Sequence, residues 1–237
     1  MLINFRSLRV AVLCSKRAPG LDALLRHPQN GSMFEIACVV TTETDIPEQN
    51  RIEAAGVPVL IHPIRSFFED RGATLQNARV RSEYYSLLAE MLAYLEVDTV
   101  LLLGHTYVVS DSLLSRFPDR VLNVHDSDLT IRNAAGERRF VGLHSTRDAI
   151  VAGMSETRST VHLVTSKVDA GPILVLSERY PVAPFATEAA ASGAIDIVKA
   201  YAYAQREWMM RRDWGLLAAR ALEYLAAGVE EEAMVIA

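Results

Sequence analysis

Asparagine and histidine alternate with apolar residues at one point of the chain, and this spacing could do chemistry. The apolar residues of Val121–His125 indicate a buried strand, and Asn123 and His125 lie two positions apart, so both side chains leave the same face of that strand. An amide and an imidazole that converge on one atom could hydrogen-bond a developing oxyanion. A carboxylate such as Asp169 could orient the imidazole and favour its charged form. Taken alone, the spacing fits an ordinary hydrogen-bonded turn equally well.

Predicted strands and helices alternate along the chain, and together they position Asn123 and His125. The hydrophobic periodicity predicts strands at residues 9–14, 35–41, 57–61, 98–103, 121–125, 159–165 and 172–177. It predicts helices at residues 21–26, 47–55, 74–96, 111–117 and 143–151, and one or two more between 187 and 227. Residues 129–141 read as a hairpin with its turn at 133–136. Such an alternation builds a mostly parallel α/β sheet, which binds ligands at the carboxyl ends of its strands.

The composition favours one compact protein that acts on small molecules. The chain has 237 residues, of which 50% are hydrophobic and 22% charged, enough for one substantial core. A net charge of −5 argues against a nucleic-acid partner. No apolar run reaches the roughly 18 residues of a membrane span, and no signal peptide is evident, so we expect a cytoplasmic protein without a membrane partner. Cys14 and Cys38 lie in strand-like apolar runs, which predicts buried thiols.

The stretch from Leu101 to Leu174 resembles the catalytic domain shared by glycinamide ribonucleotide formyltransferase, methionyl-tRNA formyltransferase, sugar N-formyltransferases and formyltetrahydrofolate deformylase. Four features occur in the order of that family: a strand ending in Gly104, Asn-x-His at 123–125, Gly-Leu-His at 142–144, and Thr-Val-His-Leu-Val-Thr at 160–165 followed by Val-Asp-Ala-Gly-Pro-Ile-Leu at 168–174. The first hundred residues fit the family in strand order.

The resemblance implies a Rossmann-like, three-layer formyltransferase fold of the α/β class. Its central sheet is mostly parallel with an antiparallel C-terminal part, and helices cover both faces. We expect one catalytic domain over residues 1–237, with a nucleotide-binding-like half at 1–100, a catalytic and folate-binding half at 101–185, and C-terminal helices at 186–237.

The resemblance also implies the activity and its residues. A formyl group would pass from the co-substrate 10-formyltetrahydrofolate to a primary amine of a small molecule, without a metal. Asn123 and protonated His125 would stabilise the oxyanion, and Asp169 would hold His125 and help to move a proton. The expected folate contacts are Gly104, Thr106, Tyr107, Val108, Val109, Val164, Thr165, Lys167 and Val168. The expected acceptor contacts are Ser15, Lys16, Arg17, Gly142 and His144.

Three departures from the family pattern concern the acceptor side. Most members follow Asn-x-His with Pro-Ser-Leu-Leu-Pro, whereas this chain has Asp-Ser-Asp-Leu-Thr at 126–130. The hairpin is an insertion, whose Arg132, Arg138 and Arg139 either line the acceptor entrance or are solvated loop charges. Gln205 and Arg206 stand where many members have glutamate and histidine.

The loop after the first strand predicts an acceptor other than glycinamide ribonucleotide. In the purine-pathway enzyme a glycine-rich loop cradles the phosphate with backbone N–H groups. Here the loop is Ser-Lys-Arg-Ala-Pro-Gly at 15–20, in which Pro19 removes a donor and the neighbouring side chains fill the space. Lys16 and Arg17 could still hold an anion as point charges. An amino sugar or an amino-acid-like amine is therefore expected.

Other functions compete with formyl transfer. Hydrolysis of formyltetrahydrofolate is disfavoured because the deformylase has an N-terminal regulatory domain, for which no room precedes Arg9. A non-catalytic folate-binding protein would usually have lost one of the three catalytic residues. A metal hydrolase would draw its ligands from residues without metal-site spacing, namely Asp126, Asp128, Asp169, His105, His125, His144 and His162. His162 is expected to pack below the site. A homodimer is compatible with the sequence.

Overall fold

The strands and helices follow the predicted alternation. The computed structural model describes residues 6–228 and 234–235. Its strands are β1 (Leu8–Cys14), β2 (Phe34–Thr41), β3 (Val59–Ile61), β4 (Thr99–Leu102), β5 (Val121–His125), β6 (Glu156–Thr157), β7 (Thr160–Leu163), β8 (Ile173–Leu176), β9 (Tyr180–Pro181) and β10 (Met234–Val235). Its helices are α1 (Leu21–Leu25), α2 (Gln49–Ala54), α3 (Ile64–Glu69), α4 (Ala78–Tyr94), α5 (Asp111–Arg116), α6 (Ser145–Val151), α7 (Pro184–Ala191) and α8 (Ile195–Ala227).

The main sheet has the strand order β10-β8-β7-β5-β4-β1-β2-β3. Strands β1 to β5 pair in parallel, and β7 runs antiparallel to both β5 and β8. The predicted mostly parallel sheet with an antiparallel C-terminal part is therefore confirmed. Strand β3 lies at the edge, where the preceding Pro58, which lacks an amide donor, is tolerated.

Helices cover both faces of the sheet, because β1 sends alternate side chains to opposite sides. Val10 and Val12 pack in one buried cluster with side chains of α1, α2 and α8. Ala11 and Leu13 pack in a second cluster with side chains of α3, α4 and α5. The architecture thus has three layers, with one apolar core on each side of the sheet.

The chain switches direction across the sheet at β1, which lies between β2 and β4. The loops that follow β1 and β4 meet there, and the Ser15 amide donates to the Gly104 carbonyl at 3.3 Å. Gly104 has φ 80°, and a Cβ on it would lie 2.5 Å from the Arg17 carbonyl oxygen. Glycine is therefore required for this close approach. In open α/β sheets, ligands bind in the crevice at such a switch point.

Several predicted boundaries differ from the structure. Helix α3 was not predicted, because it is short and carries only one turn of apolar spacing at Ile64, Phe67 and Phe68. Helix α4 begins at Ala78 because the Asn77 side chain accepts from the Val80 amide at 3.1 Å and caps it. The C-terminal helical region divides into α7 and α8 around Gly193, which has φ 76°. Helix α8 ends at Ala227, where the predicted helical region ends, and the two-residue strand β10 lies farther along in the segment 186–237 that was assigned to C-terminal helices.

The predicted hairpin and the predicted buried thiols are confirmed. Arg132 and Arg138 form an antiparallel bridge, and the Asn133 amide donates to the Glu137 carbonyl at 2.8 Å, so the segment 129–141 contains a hairpin. Cys14 and Cys38 are buried free thiols, and burial raises their pKa to about 12 and about 11, respectively. Within the described ranges, no helix has the length and apolar character needed to cross a membrane.

Candidate active site

The three candidate catalytic residues line one cavity. Strand β5 carries Asn123 and His125, and the loop between β7 and β8 carries Asp169. All three side chains face a cavity of about 200 Å³ beyond the ends of β4 and β5. The three residues that the sequence analysis selected therefore lie together. The spacing of Asn123 and His125 on β5 and the antiparallel pairing of β7 bring them to one place.

His125 lies between a carboxylate and a backbone carbonyl. Its Nδ1 is 3.7 Å from Oδ2 of Asp169, and both side chains are only 8% exposed. Its Nε2 is 3.4 Å from the Phe140 carbonyl oxygen. A hydrogen-bond acceptor therefore lies next to each nitrogen of the ring.

The Asp169 carboxylate is held in its charged form. Burial alone would raise its pKa, but the hydrogen bond from His162, the charge of His125 and the Gly142 amide together lower the pKa to about 2. The Gly142 amide donates to Oδ2 at 2.7 Å. Asp169 also has φ 50°, a conformation that few residues other than glycine adopt. The local fold thus keeps a charged carboxylate next to His125 in a buried site.

Asn123 is oriented by His162, which lies opposite it on β7. Nδ1 of His162 lies 2.7 Å from the Leu163 carbonyl oxygen, so this nitrogen carries a proton. Nε2 of the same ring lies 3.2 Å from the Asn123 amide nitrogen and 3.5 Å from Oδ1 of Asp169. The second amide proton of Asn123 remains available to an oxyanion. His162 is buried, as expected, but it also contacts Asn123 and lies 3.5 Å from Asp169, so it supports the site directly.

The arginines of the hairpin do not line the cavity, which corrects one of the two expectations for them. Arg138 turns toward the β7–β8 loop, where Nη1 donates to the Asp169 carbonyl and Nη2 donates to the Gly171 carbonyl at 2.7 Å. Arg132 and Arg139 are exposed. The hairpin therefore supports the loop of Asp169 and does not form an acceptor entrance.

Most of the expected folate contacts are present around the cavity. The lining includes Gly104, Thr106, Tyr107, Val108, Val109, Val164, Thr165 and Val168. Lys167 is an exception, because it does not line the cavity and pairs on the surface with Glu137 at 2.9 Å. Leu102, Val124, Leu143 and Trp214 add apolar surface that the sequence analysis did not foresee.

A flat heteroaromatic ring fits this lining. Apolar side chains from the two loops can cover its faces, while backbone groups meet its polar edge. His105 also lines the cavity; Nε2 of its ring is 2.8 Å from the Tyr85 hydroxyl, and its buried Nδ1 has no hydrogen-bond partner in the described part of the chain. Burial lowers the pKa of His105 to about 3, so the ring stays neutral. The cavity is smaller than the ~300–1,000 Å³ of sites for drug-sized ligands, so it suits a ring system and not a whole folate.

The expected acceptor contacts are only partly supported. Ser15 is 1% exposed, and its hydroxyl bonds Thr42 and Thr106 at 3.0 and 3.1 Å, so it is structural. Arg17 pairs with Glu207 of α8. Lys16 and His144 are exposed, and neither lines the cavity. Gly142 does line it, but its amide serves Asp169.

Two ion pairs hold the turn at residues 126–130, in which most family members have two prolines. Asp128 pairs with Arg158 at 2.7 Å and caps the Thr130 amide at 2.9 Å, while Asp126 pairs with Arg206. These contacts stiffen the turn after His125 by hydrogen bonding. Arg206 lines the cavity, and its place at the family's glutamate-histidine position was the one signal for it in the sequence. Within the described residues, no group of three histidine, cysteine or acidic side chains could hold a metal ion.

A comparison with protein families resolves the identity of this arrangement. A protein-family model described as formyl transferase matches residues 8–204, which are most of the chain. The chain belongs to the formyl transferase family. The family uses 10-formyltetrahydrofolate as its formyl donor, and this chain is an enzyme of its folate-dependent formyltransferase and deformylase group.

Individual relatives agree with this family. Phosphoribosylglycinamide formyltransferase of Haemophilus influenzae is 27% identical over 177 residues, which cover 74% of each chain. Formyltetrahydrofolate deformylase of Bacillus subtilis is 27% identical over 167 residues, but these cover 70% of this chain and 48% of the relative. The chain spans 20% or less of the matched trifunctional purine biosynthetic proteins.

A solved structure supports the fold of this formyl transferase family member. Glycinamide ribonucleotide transformylase 1 from Symbiobacterium toebii superposes with a TM-score of 0.70 and 26% identity, over 96% of this chain and 92% of the other. The predicted formyltransferase fold is therefore confirmed.

Proposed function

We propose that the protein transfers the formyl group of 10-formyltetrahydrofolate to a primary amine of a small molecule, with Asn123, His125 and Asp169 as catalytic residues. The observation that carries this proposal is the buried contact between His125 and the charged Asp169, beside Asn123 in one apolar cavity. This arrangement offers two hydrogen-bond donors to an oxyanion in a buried, mostly apolar site.

The residues have distinct roles in this reaction. The amine nitrogen forms a bond to the formyl carbon, the bond from that carbon to the folate nitrogen breaks, and a proton passes from the amine to the folate nitrogen. Asn123 and His125 hydrogen-bond the formyl oxygen as it becomes negative, and for this Nε2 of His125 exchanges its 3.4 Å contact with the Phe140 carbonyl oxygen for the formyl oxygen. Because the pKa of Asp169 is about 2, its carboxylate is a weak base, and its main role is to stabilise the positive charge of His125.

A positively charged side chain in the cavity favours transfer over hydrolysis. Arg206 projects a charged group into the space shared with the three catalytic residues. Water needs no such partner, whereas an acceptor molecule gains binding energy from it. Hydrolysis is the alternative that the deformylase relatives represent.

Glycinamide ribonucleotide is a second candidate for the acceptor. The relatives named after it support it, and the comparisons give no support to the sequence-based prediction that it is excluded. Against it stand Pro19, which lacks an amide donor, and Arg17, whose charge is engaged by Glu207. It therefore belongs in any panel of test amines.

The test is formyl transfer by variants of the catalytic residues. We expect His125→Ala and Asp169→Asn to fold and to lose formyl transfer by about 10²-fold or more, since one preorganised oxyanion partner contributes about that much. Asp148→Asn, which changes a 48% exposed side chain of α6, is the matched control and should keep full activity. Turnover near the wild-type rate in either catalytic variant contradicts the proposal.

A further inference from the structure

One arginine reaches the catalytic cavity from the long helix α8. Arg206 lines the same space as Asn123 and His125, and its Nε donates to Oδ2 of Asp126. Asp126 directly follows His125 in the chain, so this contact holds the guanidinium close to the catalytic residues. Of the described residues that line the cavity, Arg206 is the only lysine or arginine.

Asp126 is a fixed anchor for this arginine. Its side chain is 6% exposed, and its second carboxylate oxygen accepts from the Ser145 hydroxyl at 2.8 Å. Its backbone carbonyl accepts from the Thr146 hydroxyl at 2.7 Å. The anchor uses only Nε of Arg206, and Nη1 and Nη2 make no hydrogen bond to any residue of 6–228.

A second ion pair in the same turn serves as a comparison, because both of its side chains are buried. Arg158 and Asp128 have side chains 8% and 9% exposed, and Nη2 of Arg158 has a further partner in Thr130. Arg206 is instead 31% exposed, although its carboxylate partner is buried. Arg206 thus lines the cavity with terminal nitrogens that have no partner among residues 6–228, so their donors are open to a ligand.

We infer that Arg206 determines specificity by binding an anionic group of the acceptor, a carboxylate or a phosphate. Nη1 and Nη2 form a planar fork that matches two oxygens of such a group, and Asp126 fixes its orientation through Nε. The other cations on this side are already engaged or exposed: Arg17 pairs with Glu207, and Lys16 lies outside the cavity. This inference rests on the proposed function, because it names the class of acceptor.

The inference is tested with pairs of amines that differ only in the anion. Suitable pairs are β-alanine with β-alaninamide and glucosamine 6-phosphate with glucosamine, each with 10-formyltetrahydrofolate. We expect the wild type to prefer an anionic member at least 10-fold in kcat/KM. Arg206→Gln should lower kcat/KM for that member by about 10- to 100-fold, mainly through KM, because a charged hydrogen bond contributes about that much.

Two further variants separate this role from a structural one. Arg206→Lys keeps the charge but not the fork, so it should retain part of the preference. Arg211→Gln removes the same charge from an 81% exposed position of α8 and should behave as wild type. Unchanged preference in Arg206→Gln overturns the inference, and so does a loss of affinity for 5,8-dideazafolate, which would make Arg206 a folate contact.

A binding measurement keeps this inference distinct from the proposed activity. Inorganic phosphate and acetate are titrated by NMR into protein saturated with 5,8-dideazafolate. Binding of either anion to the wild type, and its loss in Arg206→Gln, supports the inference even if no amine is formylated, in which case only the proposed activity fails. Equal binding to both proteins, or none to the wild type, overturns it.

Discussion

Arg138 in the hairpin donates hydrogen bonds from its side chain to the backbone carbonyls of Asp169 and Gly171, about 30 residues further along the chain. The loop that it holds is strained, since Asp169 has φ 50°. The same loop carries the carboxylate that faces His125. A surface insertion therefore contributes to the geometry of the candidate catalytic residues.

Removing this contact should slow the reaction without weakening binding. In Arg138→Gln the loop loses two charged hydrogen bonds and Asp169 loses its fixed position, so we expect kcat to fall about 10-fold with little change in KM, as about 1.4 kcal/mol of barrier corresponds to tenfold. Arg132→Gln is the control, because Arg132 is an exposed arginine of the same hairpin. Equal kcat values in the two variants would show that the hairpin has no such role.

The low pKa of Asp169 predicts a specific loss of stability in acid. An unfolded aspartate has a pKa of about 3.9, and in the folded protein the pKa is about 2. Folding therefore favours the charged form above pH 4, and this contribution is lost as the pH falls toward 2. Relative to Asp169→Asn, the wild type should lose about 2 kcal/mol of unfolding free energy between pH 5 and pH 2. The unfolding free energies of both proteins are measured by urea denaturation. An equal loss in the wild type and in Asp169→Asn between pH 5 and pH 2 would contradict the assignment.

The contact between α1 and α8 should not tolerate a methyl group. A Cβ on Gly215 would overlap the Gly20 carbonyl oxygen and lie 2.7 Å from the Ala23 Cβ. Gly215→Ala would gain helix propensity of about 1 kcal/mol, but overpacking costs about 1–3 kcal/mol, so we expect net destabilisation in urea denaturation. Gly193→Ala meets no atom within 4 Å and should cost only the strain of its positive φ. A Gly215→Ala protein more stable than wild type would refute the packing argument.

Folate should stabilise the protein through the two loops around the cavity. At a ligand concentration 100 times Kd, the gain in unfolding free energy is about 2.7 kcal/mol. Val108→Lys puts a charge in the apolar lining at a 48% exposed position and should remove this protection. Val151→Lys, at a 51% exposed position on α6, should keep it. A thermal shift that is the same in both variants would locate the folate elsewhere.

Much of the fold was predictable because it depends on short-range patterns. The alternation of Val10, Ala11, Val12 and Leu13 predicts a strand buried on both faces, and the structure has helices on both sides of it. The meeting of Asn123, His125 and Asp169 was predictable from their spacing and from the resemblance to a known family. Lys167 and Ser15 lie outside the cavity lining, because matching by position does not show which way a side chain turns.

Contacts between distant segments could not be predicted. Arg206 meets Asp126 across 80 residues, and Arg138 meets Asp169 across 31. Such pairs depend on how α8 and the hairpin pack, and a charged residue in the sequence looks the same whether it is solvated or bound. The pairing that places Arg206 in the cavity and the contact that supports the Asp169 loop therefore emerged only from the structure.

The fate of the formyl carbon tests the central claim most directly. The protein is mixed with 10-formyltetrahydrofolate labelled with ¹³C in the formyl group and with a panel of amines that includes glycinamide ribonucleotide, and products are identified by mass spectrometry and NMR. Our account predicts label in an N-formyl amine, with one tetrahydrofolate released per product, and none with His125→Ala. Label that appears as formate at the same rate with or without any amine would contradict it.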